Sequence, residues 1–153
     1  MFRRLLQQIH IPSQCVVCDA WPATGLVCEN CVGKYAQPVA RCSTCALALP
    51  ASHLTQCGAC MVNRPPLDAC YAAVSYAFPW TDCIASYKFG SDPAWSKTFS
   101  LLLQSNSQIE AAMASTDVVI PIPLSNERLR ERGYNQAHEI CKRLAGAKTD
   151  PHL

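Results

Sequence analysis

Eight of the eleven cysteines fall in four Cys-x-x-Cys pairs: Cys15/Cys18, Cys28/Cys31, Cys42/Cys45 and Cys57/Cys60. Nine, ten and eleven residues separate successive pairs, within a stretch of 46 residues. Such a turn aims two thiolates at one tetrahedral ion, with each sulfur about 2.3 Å from zinc. Two pairs complete one site, so the pattern predicts two structural zinc ions. Grouping neighbouring pairs, Cys15/Cys18 with Cys28/Cys31 and Cys42/Cys45 with Cys57/Cys60, closes shorter loops than a crossed arrangement and costs less entropy. All four ligands of each ion would be protein, which leaves no open position for water or substrate. The spacing lacks the tight cysteine run of bacterial ferredoxins, which argues against an iron–sulfur cluster.

The second stretch with chemical content is PIPLSNERLRERGYNQA, residues 121–137. Arg128, Arg130 and Arg132 stand close together, followed by Gly133, Asn135 and Gln136. Guanidinium forks match phosphate oxygens, and backbone N–H groups at a following helix start add to anion binding. The competing reading is a solvated charged turn in which Glu127 and Glu131 pair the arginines. General acid–base or nucleophilic chemistry has little support. His10, His53, His138 and His152 are scattered, and no P-loop, GxGxxG or Ser/His/Asp grouping occurs. His53 could replace a zinc ligand, but four cysteines already suffice.

These residues need elements to position them. Phe2, Leu5, Leu6 and Ile9 predict a short amphipathic helix over residues 1–10. Between the cysteines there are too few apolar residues for an ordinary core, so metal must supply much of the folding energy there. The two halves of this module read as an internal repeat. VGKYAQ after Cys31 reads as one or two helical turns, and Gly58 suits a knuckle turn. Arg64-Pro65-Pro66 reads as a linker. Alternation of Cys70, Ala72, Val74, Tyr76 and Phe78 predicts a strand over 69–78. Trp80, Cys83, Ile84 and Tyr87 predict a helix opened by Pro79 and stopped by Gly90. A second stripe, Trp95, Phe99, Leu102 and Leu103, predicts another, ending near 105–107. The apolar run DVVIPI, 117–122, reads as a strand buried on both faces. Ala137, Ile140, Cys141 and Leu144 predict a last helix.

Composition narrows the classes. Half of the 153 residues are apolar and 16% are charged, which excludes a disordered chain. A net charge of +2 does not by itself argue for nucleic acid. Charge is uneven: residues 1–65 carry five Lys/Arg against two Asp/Glu, residues 66–120 two against five, and residues 121–148 six against three. No apolar run is long enough for a membrane span. The opening MFRRLLQQIHIPSQC has no small-residue cleavage site, so a cytoplasmic location, reducing and unfavourable to disulfides, is expected.

Four Cys-x-x-Cys pairs, then YAFPWTDCIASYKFGSD, then VVIPIPLSNERLRERGYNQAHEICKRLA resemble the ComF family of competence-associated, phosphoribosyltransferase-like proteins. The resemblance runs from about Cys15 to Ala145, and the PIPL…RERGYNQA run is its most specific part. It implies an α+β chain: an N-terminal double zinc ribbon followed by the incomplete N-terminal part of an α/β type I phosphoribosyltransferase-like domain. The implied divisions are a helix at 1–11, the ribbon at 12–64, the partial domain at 67–148 and a tail at 149–153. The loop from Pro123 to Asn135 would grip the pyrophosphate end of phosphoribosyl pyrophosphate. The implied phosphate-side residues are Lys88, Pro123, Leu124, Ser125, Arg128, Arg132, Gly133 and Asn135.

Phosphoribosyltransferases carry a later signature of two adjacent acidic residues and a Thr/Gly-rich loop. No two acidic residues are adjacent in this sequence. The expectation is therefore a C-terminally truncated member, inactive alone as a transferase, with Mg²⁺ and phosphoribosyl pyrophosphate bound only where the site is completed. The implied role is in natural competence or DNA uptake, with competence or DNA-processing proteins, and single-stranded DNA, as partners. Two alternatives remain. One is a non-catalytic zinc-ribbon adaptor for protein or single-stranded nucleic acid, with Trp21 and Tyr35 available for stacking. The other is a thiol redox protein, which zinc on the thiolates would preclude.

Overall fold

Local geometry around the cysteine pairs repeats. In the first half, Asp19 N–H donates to Cys15 O at 2.9 Å and Val16 N–H to Leu26 O at 2.9 Å. In the second, Ala46 N–H donates to Cys42 O at 2.8 Å and Ser43 N–H to Thr55 O at 2.9 Å. Asp19 and Ala46, each directly after the second cysteine of its pair, both take a left-handed backbone, with φ of 58° and 62°. Isolated antiparallel bridges, Ser13 to Ala23 and Arg41 to Ala48, tie the two turns. Each half then enters a short helix, α1 (Glu29–Tyr35) and α2 (Gly58–Val62), with Cys28 and Cys57 in the positions just before them and no side-chain cap. Gly58 thus opens a helix. It has no positive φ, and a Cβ there would meet nothing within 4 Å, so the expected knuckle role is not what places it.

This structure, a computed structural model, describes residues 12–144. The expected helix at 1–10 and the tail lie outside the described residues. After the linker come α3 (Trp80–Phe89), α4 (Trp95–Gln104), α5 (Ser107–Ala114), α6 (Asn126–Arg132) and α7 (Gln136–Cys141). Helix α4 packs against α3, α5 and α7. Pro79 precedes α3 and Gly90 closes it, because a Cβ at Gly90 would stand 2.6 Å from Ser86 O. No helix among the described residues is long and apolar enough to cross a membrane.

The two expected strands are corrections. Residues 69–78 are bends and coil, and 117–122 are coil with one bridge position at Val119. The described part is thus mostly helical. Alternation fixes which side chains can share a face, but a strand needs a ladder partner, and the described residues supply none beyond isolated bridges. Val118, Ile120 and Ile122 are accordingly exposed, where a strand buried on both faces was expected.

The main core crosses the linker. Cys15, Ala23, Val27 and Cys31 of the first half pack with Trp80, Cys83, Tyr87, Trp95, Phe99 and Leu102. Trp80 is fully buried and its Nε1–H donates to Tyr35 O at 2.8 Å. The second half keeps a small cluster of its own, Cys42, Cys57 and Cys60 with Cys45 and Leu49.

Candidate metal centres and an adjoining cavity

The fold gathers Cys15, Cys18, Cys28 and Cys31 in one group and Cys42, Cys45, Cys57 and Cys60 in another, with sulfurs within 4.8 Å of one another in each. This is the neighbouring-pair grouping. Tetrahedral zinc with bonds of about 2.3 Å sets its sulfurs about 3.8 Å apart. Cys18 Sγ to Cys28 Sγ, and Cys45 Sγ to Cys57 Sγ, are both 3.7 Å. That spacing is far beyond a disulfide bond of about 2.05 Å. The donor set and its dimensions fit zinc, so the two groups could hold two zinc ions. His53 is exposed and stands outside the second group.

Backbone donors prepare the thiolates. Cys28 N–H points at Cys15 Sγ, 3.3 Å away. Burial pushes the Cys15 thiol up, but N–H groups of Cys28, Val17 and Cys18 outweigh it and bring it down to about 6. At Cys42, N–H groups of Cys57 and Cys45 lower the thiol to about 6. Cys31 and Cys60 are pushed up to about 12, first by burial and then by the neighbouring cysteines. Outside both groups, Cys83 and Cys141 are buried, and burial, helped by Asp82, raises the Cys83 thiol to about 11. Such thiols are inert packing residues. Cys70 is half-buried.

The 121–137 stretch is not one loop. Residues 126–132 form α6, none of it buried, with Ser125 capping it by accepting from Arg128 N–H at 3.3 Å. Gly133, at φ 78°, ends it in the left-handed turn that favours glycine. Asn135 caps α7 by accepting from His138 N–H at 3.2 Å, and its Nδ2 donates to Ile122 O at 3.0 Å. Arg128 pairs with Glu131 at 3.2 Å on the surface, as the solvated-turn reading expects.

Four of the eight phosphate candidates, Lys88, Leu124, Arg132 and Asn135, line one mostly apolar cavity of about 520 Å³ between α3, α4 and α7. Pro123, Ser125, Arg128 and Gly133 do not line it. The Arg132 guanidinium lies 5.4 Å from the Phe89 ring centroid, and its Nη1 donates to Gln136 Oε1 at 3.2 Å. Two buried donors on this wall, Arg132 Nε and Gln136 Nε2, have no partner among the described residues. Gln136 is 8% exposed. Sequence reasoning gave it only polarity, because its burial comes from α3. Tyr87 OH donates to Gln136 O at 2.7 Å, and Tyr134 OH to Tyr87 O at 2.8 Å.

No protein-family model matches the chain, and no solved structure matches it. Curated relatives do. The protein of Shigella flexneri called DNA utilization protein YhgH is 29% identical over 142 residues, covering 90% of this chain and 62% of that protein. Its namesake in Escherichia coli strain K12 is 28% identical over 142 residues, with the same coverage. The Salmonella typhimurium protein of that name is 28% identical over 146 residues. The chain therefore spans 62% of the length of the curated relatives it matches.

Proposed function

We propose that this chain acts in DNA utilisation as a zinc-stabilised, ComF-like protein whose cavity wall binds a phosphate-bearing ligand, phosphoribosyl pyrophosphate with Mg²⁺ being the first candidate. The carrying observation is the pair of buried donors without acceptors among the described residues, Arg132 Nε and Gln136 Nε2, whose side chains line the same cavity as Lys88. A buried N–H left unpaired costs about 1–3 kcal/mol, which an anionic oxygen would recover. The DNA setting rests on the name that the relatives carry. In this reading residues 12–64 are a ribbon unit, 67–148 a phosphoribosyltransferase-like unit, and the thiols stay reduced in the cytoplasm. The test is calorimetry on the zinc-loaded chain with phosphoribosyl pyrophosphate and Mg²⁺. Saturable binding weakened at least about tenfold by Arg132→Ala, equivalent to about 1.4 kcal/mol, supports the reading. Absence of binding sinks it.

One observation favours a second reading, an adaptor for single-stranded nucleic acid. Lys34 Nζ lies 5.0 Å from the Tyr35 ring centroid, and Phe78, 59% exposed, meets that ring edge-on at 5.4 Å. Stacking on such a platform is worth about 1–3 kcal/mol per base. Oligonucleotide anisotropy with Phe78→Ala and Lys34→Glu separates the readings, because neither residue lines the cavity.

A further inference from the structure

We infer that the groove between the first cysteine half and α3 is the seat of the chain's own N-terminal segment, residues 1–10. The groove, of about 400 Å³, is walled by Val16, Val17, Leu26, Pro79 and Trp95. Val16 is 53% exposed there, although it stands directly after the buried Cys15. The charged residues of the lining are Asp82 and Asp92 alone, and neither stands in an ion pair among the described residues. An apolar wall that carries two carboxylates asks for an apolar stripe flanked by cations.

Residues 1–10 lie outside the described residues, and their sequence carries that pattern. Phe2, Leu5, Leu6 and Ile9 recur at helical spacing, and Arg3 and His10, seven residues apart, fall on one flank of the stripe. Arg4 adds a second fixed positive charge, and residues 1–11 contain no Asp or Glu. The attachment point favours the same groove. Ser13 N–H donates to Ala23 O at 3.0 Å and its Oγ to Gly25 O at 2.8 Å, which holds the start of the described chain beside Leu26. Val16 is four residues beyond Pro12, a reach of at most about 14 Å. Ten helical residues span about 15 Å, so the segment is long enough to lie along the groove. The cavity of about 520 Å³ suits the segment less, because Lys88 and Arg132 line it and would repel the arginines. Once seated, the segment would cover Val16 and Val17, the two residues between Cys15 and Cys18, and so screen the first metal centre from water.

The test uses the full, zinc-loaded chain carrying Arg3→Lys, which puts an amine where a carbodiimide can join it directly to a carboxylate in contact. Peptide mass spectrometry of the monomer is expected to find residue 3 joined to Asp82 or Asp92. Leu5→Asp combined with Leu6→Asp should abolish that link while zinc content is unchanged. No link to either aspartate, links to Asp19 or Glu29 alone, or links found only between two copies of the chain overturn the inference. Should the double aspartate variant lose zinc, Arg3→Glu with Arg4→Glu takes its place in the otherwise unaltered chain, and hydrogen exchange is read at 80–89. Exchange accelerating at least about fivefold supports the seat; unchanged exchange overturns it.

Discussion

Tyr87 shows how one side chain can join two halves of a site. It is buried in α3, donates to Gln136 O, and through its own carbonyl receives Tyr134 OH. Burial, with Tyr134 and Glu139 nearby, holds its phenol well above the ordinary range, so it stays a donor at all working pH values. Tyr87→Phe should leave Gln136 O without its donor and cost about 1–3 kcal/mol in urea unfolding of the zinc-loaded chain. A loss below about 0.5 kcal/mol would mean that water replaces the hydroxyl. The cysteines carry a pH dependence with a definite sign. Cys31 and Cys60 keep their protons up to about 12, so zinc must displace at least one proton per site at neutral pH. Cys15 and Cys42 are already thiolates above about 6 and release none there. Zinc affinity should therefore rise with pH between 6 and 8, by about tenfold per unit for each displaced proton. Below about 6 the slope should steepen as Cys15 and Cys42 join. Chelator competition at several pH values measures it, and a flat profile would count against thiolate ligation.

Among the elements, Asn135 separates capping from ligand contact. Its Oδ1 caps α7 and its Nδ2 holds Ile122 O, so it fixes the coil at Ile122 to the helix. Asn135→Asp keeps the cap acceptor and loses the donor; Asn135→Ala loses both. The alanine variant should cost about 1–2 kcal/mol and the aspartate variant less, read by thermal unfolding. Equal losses would show that the tie to Ile122, not the cap, is what matters. Helices α3, α4 and α7 were legible in the sequence because each buries a stripe at helical spacing, from Trp80, Trp95 and Ala137 onward. Helix α5 was missed because Asn106 looks like the end of a helix when it is the cap of the next, accepting from Gln108 and Ile109 N–H. Helix α6 was missed because it buries nothing and so has no stripe. The metal ligands were legible because their chemistry lies in type and spacing alone. The cavity was not, since Lys88 on α3, Arg132 on α6 and Gln136 on α7 line one cavity only once α4 has packed against α3 and α7.

For the molecule as a whole, the two cysteine groups are alike in local geometry and unlike in what depends on them. Cys15 and Cys31 sit in the same buried cluster as Trp80, Tyr87, Trp95 and Phe99, so zinc there would hold a wall of the main core. The second group packs mainly on itself, with Leu49. It is tied to the rest through contacts such as Arg41 Nη2 to Ser75 Oγ at 3.1 Å and Cys70 N–H to Ser43 O at 3.4 Å. Structural zinc contributes of order 10 kcal/mol to the folding of a small module, so losing either ion should unfold its own half. The consequences should then diverge. Cys31→Ser should remove zinc from the first group and also collapse the near-ultraviolet signal of Trp80 and Trp95, with faster hydrogen exchange across α3 and α4. Cys60→Ser should abolish order around 42–60 while exchange in α3 and α4 stays within about threefold of the parent, because the two groups share no core residue. Equal collapse in both variants would show that the polar ties at Arg41 and Cys70 transmit as much as the shared core does. The double ribbon would then be a single cooperative unit with the helices, and not one integral site beside one appended site.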